Sequence, residues 1–327
     1  MIGVLLTHKI GFIGYRNHAK KLLDIVEEEE NFEVSKLYHP TKNIDDSRIT
    51  NNLEDLYECD GIIIASPNAT HFEYIKKIVE NSKCYIFCEK PPVTSKEGIE
   101  YLETLTVENK GRILFNFNLR FSELKKYLDK YLNSDLIGIP VQINIIASMG
   151  LAFKEKYVEN WRSNGENNMH NIIENVSIHW IDLMSYIFGE KEEIDYFPRL
   201  ISKNGTSFDT SLLNLKFKTG TVASIFNSYA TPSIENITII GTNGNMTFDN
   251  KMVQVFSPRD SFDENGLFVK PKCVFKNEFS FSKNGKESLR NSLNYFLRHI
   301  ENSEMFNIED FDTSVISNKS VLQLKGD

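Results

Sequence analysis

A lysine and a histidine that could trade protons stand far apart in this chain, each in a setting that argues for chemistry. Lys90 closes the run Phe87-Cys88-Glu89-Lys90-Pro91-Pro92. The preceding Cys84-Tyr85-Ile86-Phe87-Cys88 is apolar and β-prone, so it reads as a buried strand. Proline cannot donate to a sheet ladder, so the chain must leave the sheet at Pro91. Lys90 is then held at a strand's carboxyl end, where open α/β sheets place their ligands. A lysine at the rim of an apolar sheet loses solvation and titrates lower, which suits proton transfer. The plain alternative is a surface lysine in a β–α loop. His179 has Asn175 four residues before it and Asp182 three after it, so the three lie on or near one helical face. Ile172, Val176, Leu183 and Ile187 can form that helix's apolar face. A lone helix histidine is usually a packing or surface residue, and spacing alone leaves both readings open.

Three loops could hold a dinucleotide. Residues 2–6 read as a first buried strand, and Lys9-Ile10-Gly11-Phe12-Ile13-Gly14 as the loop after it. Glycines there would let the backbone approach a pyrophosphate at the following helix N-terminus, which makes Gly11, Phe12 and Ile13 candidate contacts. The neighbours are bulky, and an ordinary tight turn is the alternative. A second strand ends at Leu37-Tyr38-His39-Pro40, with no acid before Asp45. An acid there would grip the ribose 2′-hydroxyl of NAD and repel a 2′-phosphate. Its absence favours NADP, with His39 at the ribose, unless no ribose is read there. A third strand ends at Ser66-Pro67-Asn68-Ala69-Thr70-His71. Small residues let a ligand lie against the backbone, while Asn68 or Thr70 could simply cap the next helix.

The elements that must position these residues alternate at first. Strands at Phe32–Tyr38, Gly61–Ala65, Tyr85–Cys88 and Arg112–Phe117 are separated by helical stretches. This implies an α/β, doubly wound parallel sheet over residues 1–119. After Arg120 come a helix at Ser122–Leu132, a strand at Pro140–Ser148 and a helix at Ile172–Phe188 closed by Gly189. Strands then follow without helices between them, up to Phe256, and two helices finish the chain. Residues 120–327 therefore read as an α+β domain with a mostly antiparallel, open sheet.

The 327 residues suffice for two cores. A net charge of −8 argues against nucleic acid or an anionic membrane surface as the main partner. No window reaches the ~18 apolar residues of a membrane span. Cys59, Cys84, Cys88 and Cys273 show no CxxC spacing, so they read as reduced cytoplasmic thiols, with no disulfide frame and no metal site.

Together these stretches carry a resemblance. Ile63 to His71 and Cys88-Glu89-Lys90-Pro91 resemble two signature stretches of the Gfo/Idh/MocA family of NAD(P)-dependent sugar and cyclitol oxidoreductases. Asn116-Phe117-Asn118-Leu119-Arg120-Phe121 is similar to the exit from that family's Rossmann domain. Trp161-Arg162 and Asn175 to Asp182 resemble its active-site helix, and Ile240 to Asn245 a turn in its C-terminal sheet. The resemblance implies Lys90 and His179 as the catalytic pair, with Asn175 where the family carries an acid. Asn175, Arg120, Trp161 and Arg162 would then bind substrate. Cofactor contacts would be Gly11, Phe12, Ile13, His39, Ser66, Pro67, Asn68, His71, Glu89 and Lys90. The expected activity is NAD(P)-dependent hydride exchange at a hydroxyl carbon of a sugar, cyclitol or sugar derivative, nucleotide-linked ones included. Asparagine cannot take a proton as a carboxylate does. Two alternatives therefore stay open: a sugar- or nucleotide-binding regulatory protein without turnover, and a tightly held cofactor recycled in place. A homo-oligomer built on the open sheet is also expected.

Overall fold

The computed structural model describes residues 7–41, 45–159 and 161–325. The chain divides into two units, Met1–Asn118 with Leu289–Asp327, and Leu119–Ser288. The expected second domain, 120–327, is thus cut short at its C-terminal end. The cause is aromatic packing inside the first unit: Phe296 meets Phe87 at 5.4 Å, Phe306 meets Tyr85 at 5.9 Å, and Phe311 meets Phe115 at 5.3 Å between ring centroids. These residues sit on or beside helices Phe281–Asn302 and Ile308–Lys325.

The first unit holds a six-stranded sheet. Its strands are β1 (His8–Ile13), β2 (Phe32–Tyr38), β3 (Ile49–Thr50), β4 (Gly61–Ile64), β5 (Tyr85–Cys88) and β6 (Ile113–Phe115). The order is β3-β2-β1-β4-β5-β6, and every pairing is parallel. Helices α1 (Asn17–Glu27), α2 (His71–Asn81) and α3 (Lys96–Thr104) connect successive strands. Both sheet faces are covered, so β4 is buried throughout, as an all-apolar strand should be.

The strand expected at residues 2–6 lies outside the described residues. The stretch expected as a loop is strand β1, hydrogen-bonded on both sides. This corrects the placement of Gly11, Phe12 and Ile13: all three are strand residues, and Phe12 and Ile13 are core. Gly11 is required there by packing, since a Cβ would stand 2.9 Å from Leu56 Cγ.

The second unit holds an eight-stranded sheet. Its strands are β7 (Pro140–Ser148), β8 (Lys191–Arg199), β9 (Thr210–Phe217), β10 (Val222–Ser228), β11 (Ile234–Gly241), β12 (Asn245–Phe248), β13 (Met252–Phe256) and β14 (Cys273–Glu278). The order is β14-β13-β12-β11-β7-β10-β9-β8. Only β7 and β10 run parallel. One face is core, built from Ile143, Ile145, Leu213, Leu215, Ile225, Ile237 and Ile239. Phe188 at the end of helix Ile178–Phe188 packs on Phe217 at 5.5 Å, and Tyr127 of helix Glu123–Tyr131 meets Phe248 at 6.1 Å.

Candidate active site

In the first unit the turn after β1 is where the chain can meet an anion. Gly14 has φ +102°, and a Cβ on it would lie 2.8 Å from the Ala65 carbonyl oxygen. Only glycine fits a left-handed position pressed against another strand's end. Helix α1 follows, with Arg16 at its cap. It has no side-chain cap and no acid in its first turn. Its leading N–H groups and dipole are therefore left for a ligand, which fits a diphosphate. The glycine fingerprint falls three residues later than expected, as Gly14-x-Arg16-x-x-Ala19. Gly14 makes the turn and buried Ala19 lets helix and strand pack closely, while Arg16 stands where the second glycine would be.

His39 follows β2, and its Nδ1 accepts from the Thr41 N–H at 3.3 Å. Arg48, just before β3, donates to Asp46 at 2.8 Å and Glu27 at 2.6 Å. Its hydrogen bond holds the Asp46 carboxyl down at about 2. The Arg48 charge is thus spent within the protein. Lys42 and Asn43, part of the same expected ribose loop, lie outside the described residues.

After β4, Ser66 Oγ and Thr70 Oγ1 are 2.7 Å apart, and Thr70 Oγ1 also donates to the Pro67 carbonyl at 2.7 Å. Asn68–Thr70 form a 3₁₀ turn into α2, and neither Asn68 nor Thr70 caps it with a side chain. His71 is fully buried. Its Nδ1 lies 2.9 Å from the Pro91 carbonyl and its Nε2 3.1 Å from the Ser66 carbonyl. Burial pushes its pKa below the ordinary value. His71, expected at the cofactor, thus faces a carbonyl of the β4 loop and one of the β5 loop, and its neutral ring can donate to only one of them.

At the end of β5, Glu89 is 9% exposed. Its Oε1 lies 2.6 Å from His18 Nε2 and accepts from Asn116 Nδ2 at 2.7 Å. Ser292 Oγ in turn donates to Asn116 Oδ1 at 2.7 Å. Burial alone would push the carboxyl up, but His18, Asn116 and Lys90 outweigh it and hold it at about 2. The same bond and charge raise His18 above its ordinary value. Lys90 follows, half-buried, with a cis peptide to Pro91.

In the second unit Arg120 is turned inward. It donates to Asp182 through Nε at 2.8 Å and Nη2 at 2.5 Å, and lies 4.5 Å from the Tyr186 ring. A charge removed from water must pair, and Asp182 is a partner of Arg120, the residue expected at the substrate. Residues Ile173–Ser177 form a π-helical turn that runs into helix Ile178–Phe188, which Gly189 ends at φ +77°. Such turns occur frequently at functional sites. Asn175 lies in the turn and donates to the Asn171 carbonyl at 3.2 Å. The Asn171 amide itself is fully buried with no partner among the described residues. His179 is half-buried at the start of the helix. Trp161 is exposed, with the Arg162 guanidinium 4.5 Å from its ring. Burial pushes the neighbouring Tyr229 up to about 12, against an opposing pull from Arg162.

Sequence reasoning missed His18 and Asn116 beside Glu89, and His170, Glu174 and Tyr196 beside the π-turn. His170 Nδ1 lies 3.0 Å from Tyr196 Oη, and burial with Glu174 nearby raises the phenol. A histidine two residues after the helix cap was the available signal for the first group. Nothing in the sequence marks β8, which carries Tyr196.

Residues 8–117 match the model of the oxidoreductase family with an NAD-binding Rossmann fold. Residues 126–247 match the Gfo/Idh/MocA C-terminal domain. The chain is 29% identical over 215 residues to the uncharacterized oxidoreductase YrbE of Bacillus subtilis (strain 168), an alignment spanning 62% of this chain and 60% of that protein. A myo-inositol dehydrogenase from Corynebacterium glutamicum superposes with a TM-score of 0.72 at 18% identity, covering 98% of each chain. An oxidoreductase from Agrobacterium radiobacter in complex with NAD+, L-tartaric acid and magnesium gives a TM-score of 0.74 at 16% identity, covering 95% of this chain and 94% of that one. At these identities the structural likenesses speak for the fold. With matching family models in both the N-terminal and the C-terminal part of the chain, this protein belongs to the Gfo/Idh/MocA family of NAD-binding oxidoreductases.

Proposed function

We propose that the protein is an NAD(P)-dependent oxidoreductase acting at a hydroxyl-bearing carbon of a sugar, cyclitol or sugar derivative. The observation that carries this reading is the turn at Gly14. It leads into a helix start with no side-chain cap, in the same unit as Lys90. When bound, the nicotinamide supplies hydride exchange with the substrate carbon. The chain's own part is to bind, orient and move the proton. Gly14, Arg16, His39, Ser66, Pro67 and Asn68 belong to the turns and strand ends that would hold the dinucleotide, and the His18–Glu89 pair stands beside them. His179 is the general acid–base, and Lys90 supplies positive charge to the hydroxyl oxygen as its proton leaves. Exposed Trp161 and neighbouring Arg162 offer a ring face and donors suited to a polyhydroxy ligand. The missing acid after β2 leans towards NADP, although Arg48 is tied up.

Extraction of any bound nucleotide, then titration of the apoprotein with NADH and NADPH by fluorescence, tests this. Binding of either followed by turnover on a sugar or cyclitol panel is expected. No binding to the folded protein would overturn it.

Arg16 at a glycine position and Asn175 at an acid position favour a second reading, a binding protein without turnover. It predicts sugar-dependent thermal stabilisation with no hydride transfer. We also propose a cytoplasmic homo-oligomer formed through the outer face of the second unit's sheet. Phe197, Leu212, Phe226 and Ile146 stand opposite one another in register there across β8, β9, β10 and β7. Phe197 and Leu212 are exposed. A second copy would cover this apolar row, and light scattering that finds a monomer would count against it.

A further inference from the structure

A buried carboxylate stands beside the turn proposed to receive a doubly negative diphosphate, and this calls for a physical account. Glu89 is held in its charged form, because His18 and Asn116 both bond to its Oε1 and Ser292 fixes Asn116. His18 is the second residue of α1, so its ring stands in the first turn of the helix whose N–H groups would meet the anion. The pairing is one-sided in exposure: the His18 side chain is 48% exposed and that of Glu89 only 11%. Water therefore reaches the histidine, while the carboxylate stays sealed.

We infer that His18 makes dinucleotide binding pH-dependent, its imidazolium neutralising Glu89 beside the diphosphate turn and its neutral form leaving that carboxylate to repel the ligand. This rests on the dinucleotide-binding reading above. The groups that act on the ring are Glu89 at the end of β5, Lys90 next to it and Lys21 one turn further along α1. Glu89 favours the charged ring, while both lysines and burial oppose it, and the net direction is upward. With His18 charged, the His18–Glu89 pair is neutral. With His18 neutral, the pair carries one negative charge, in a place poor in water where charge acts strongly. A bound diphosphate must then raise the pKa of His18 further. By reciprocity, affinity falls as pH rises through that value. Each unit of that rise corresponds to about a tenfold change in Kd.

The test is NADH affinity of the full chain, by fluorescence, from about pH 5.5 to about pH 9, the span of ordinary histidine titration. The wild type is expected to weaken about tenfold or more with rising pH, and His18→Gln to give a flat profile. In parallel, NMR titration of the wild-type histidine rings, with and without NADH, needs no variant. One ring should move to higher pKa on binding. Parallel pH profiles in wild type and His18→Gln, or no histidine that responds to NADH, would overturn the inference while leaving the dinucleotide reading intact. A folded wild type that binds NADH at no pH would overturn both.

Discussion

Arg120 and Asp182 hold each other through two bonds of 2.8 and 2.5 Å, with side chains only 5% and 1% exposed. A pair so buried is costly to break from one side, because the survivor keeps its buried charge and loses its bidentate partner. Arg120→Met is expected to cost about 3–5 kcal/mol of unfolding free energy, and Arg120→Met/Asp182→Leu clearly less. Urea unfolding of the two variants checks this. Equal losses in both would show that the pair is not the reason for the cost.

Gly14 and Gly11 separate ligand turn from core. Gly14→Ala places a Cβ 2.8 Å from the Ala65 carbonyl at φ +102°. It should destabilise by more than about 1 kcal/mol and also weaken NADH binding. Gly11→Ala meets the Leu56 side chain instead, so it should cost stability and leave NADH affinity close to wild type. Calorimetry paired with fluorescence titration distinguishes them. Loss of affinity in Gly11→Ala alone would return the pyrophosphate to the earlier stretch.

Removing either proposed proton-handling residue should be felt in turnover. His179→Ala and Lys90→Ala are each expected to lower kcat by about 10²- to 10⁴-fold on an identified substrate. Asn175→Asp should raise kcat, because a carboxylate can stabilise an imidazolium and an amide cannot. Steady-state kinetics across pH gives the answer, and full turnover in both alanine variants would remove the assigned roles.

Lys191 predicts a stability change on the alkaline side. Its Nζ donates to Ser185 Oγ at 2.7 Å, and burial pulls it down to about 8, only partly opposed by Asp182. Its folded pKa lies below the unfolded value of 10.5. The unfolded chain thus binds more protons between those values, and stability should rise as pH climbs from about 8 towards 10.5. At neutral pH the cost is fully present, so Lys191→Met should gain up to about 3 kcal/mol. Denaturant unfolding at neutral and alkaline pH measures both, and a loss of stability in Lys191→Met at neutral pH would refute the assignment.

Glu89 acts at the acid end. Its folded value of about 2 lies below the ordinary 4.5, so its contribution is present above about 4.5 and is lost as pH falls through about 2. Glu89→Gln should flatten that part of the acid-unfolding curve, followed by circular dichroism. An unchanged curve would mean that the carboxyl is not charged when folded.

Much of this was legible in residue order. Strands β2, β4, β5, β7, β12 and β13 lie where apolar runs and turn residues put them. The strand at His8–Ile13 reads as a loop because residues 2–6 are more apolar than His8-Lys9-Ile10-Gly11-Phe12-Ile13. A strand centred in a sheet tolerates two polar residues at its start. The glycine fingerprint was then sought three residues too early, and Arg16 hid its true frame. β8 and β14 were missed because charged and exposed residues fill them, as suits the edges of a sheet. The His18–Glu89 and Arg120–Asp182 pairs join positions 71 and 62 residues apart, a separation that no local pattern encodes.

The return of the last two helices to the first unit has a consequence for how the protein is made. Phe87, Tyr85 and Phe115 are synthesised before the second unit, but Phe296, Phe306 and Phe311 only after it. The Val93 N–H likewise waits for Asn318 Oδ1, its acceptor at 2.8 Å. The NAD-binding unit is thus begun before the second unit and sealed only after the whole of that unit has been threaded out. A nascent chain stalled before residue 289 carries an open apolar sheet, and it is in this interval that chaperones and proteases would find it.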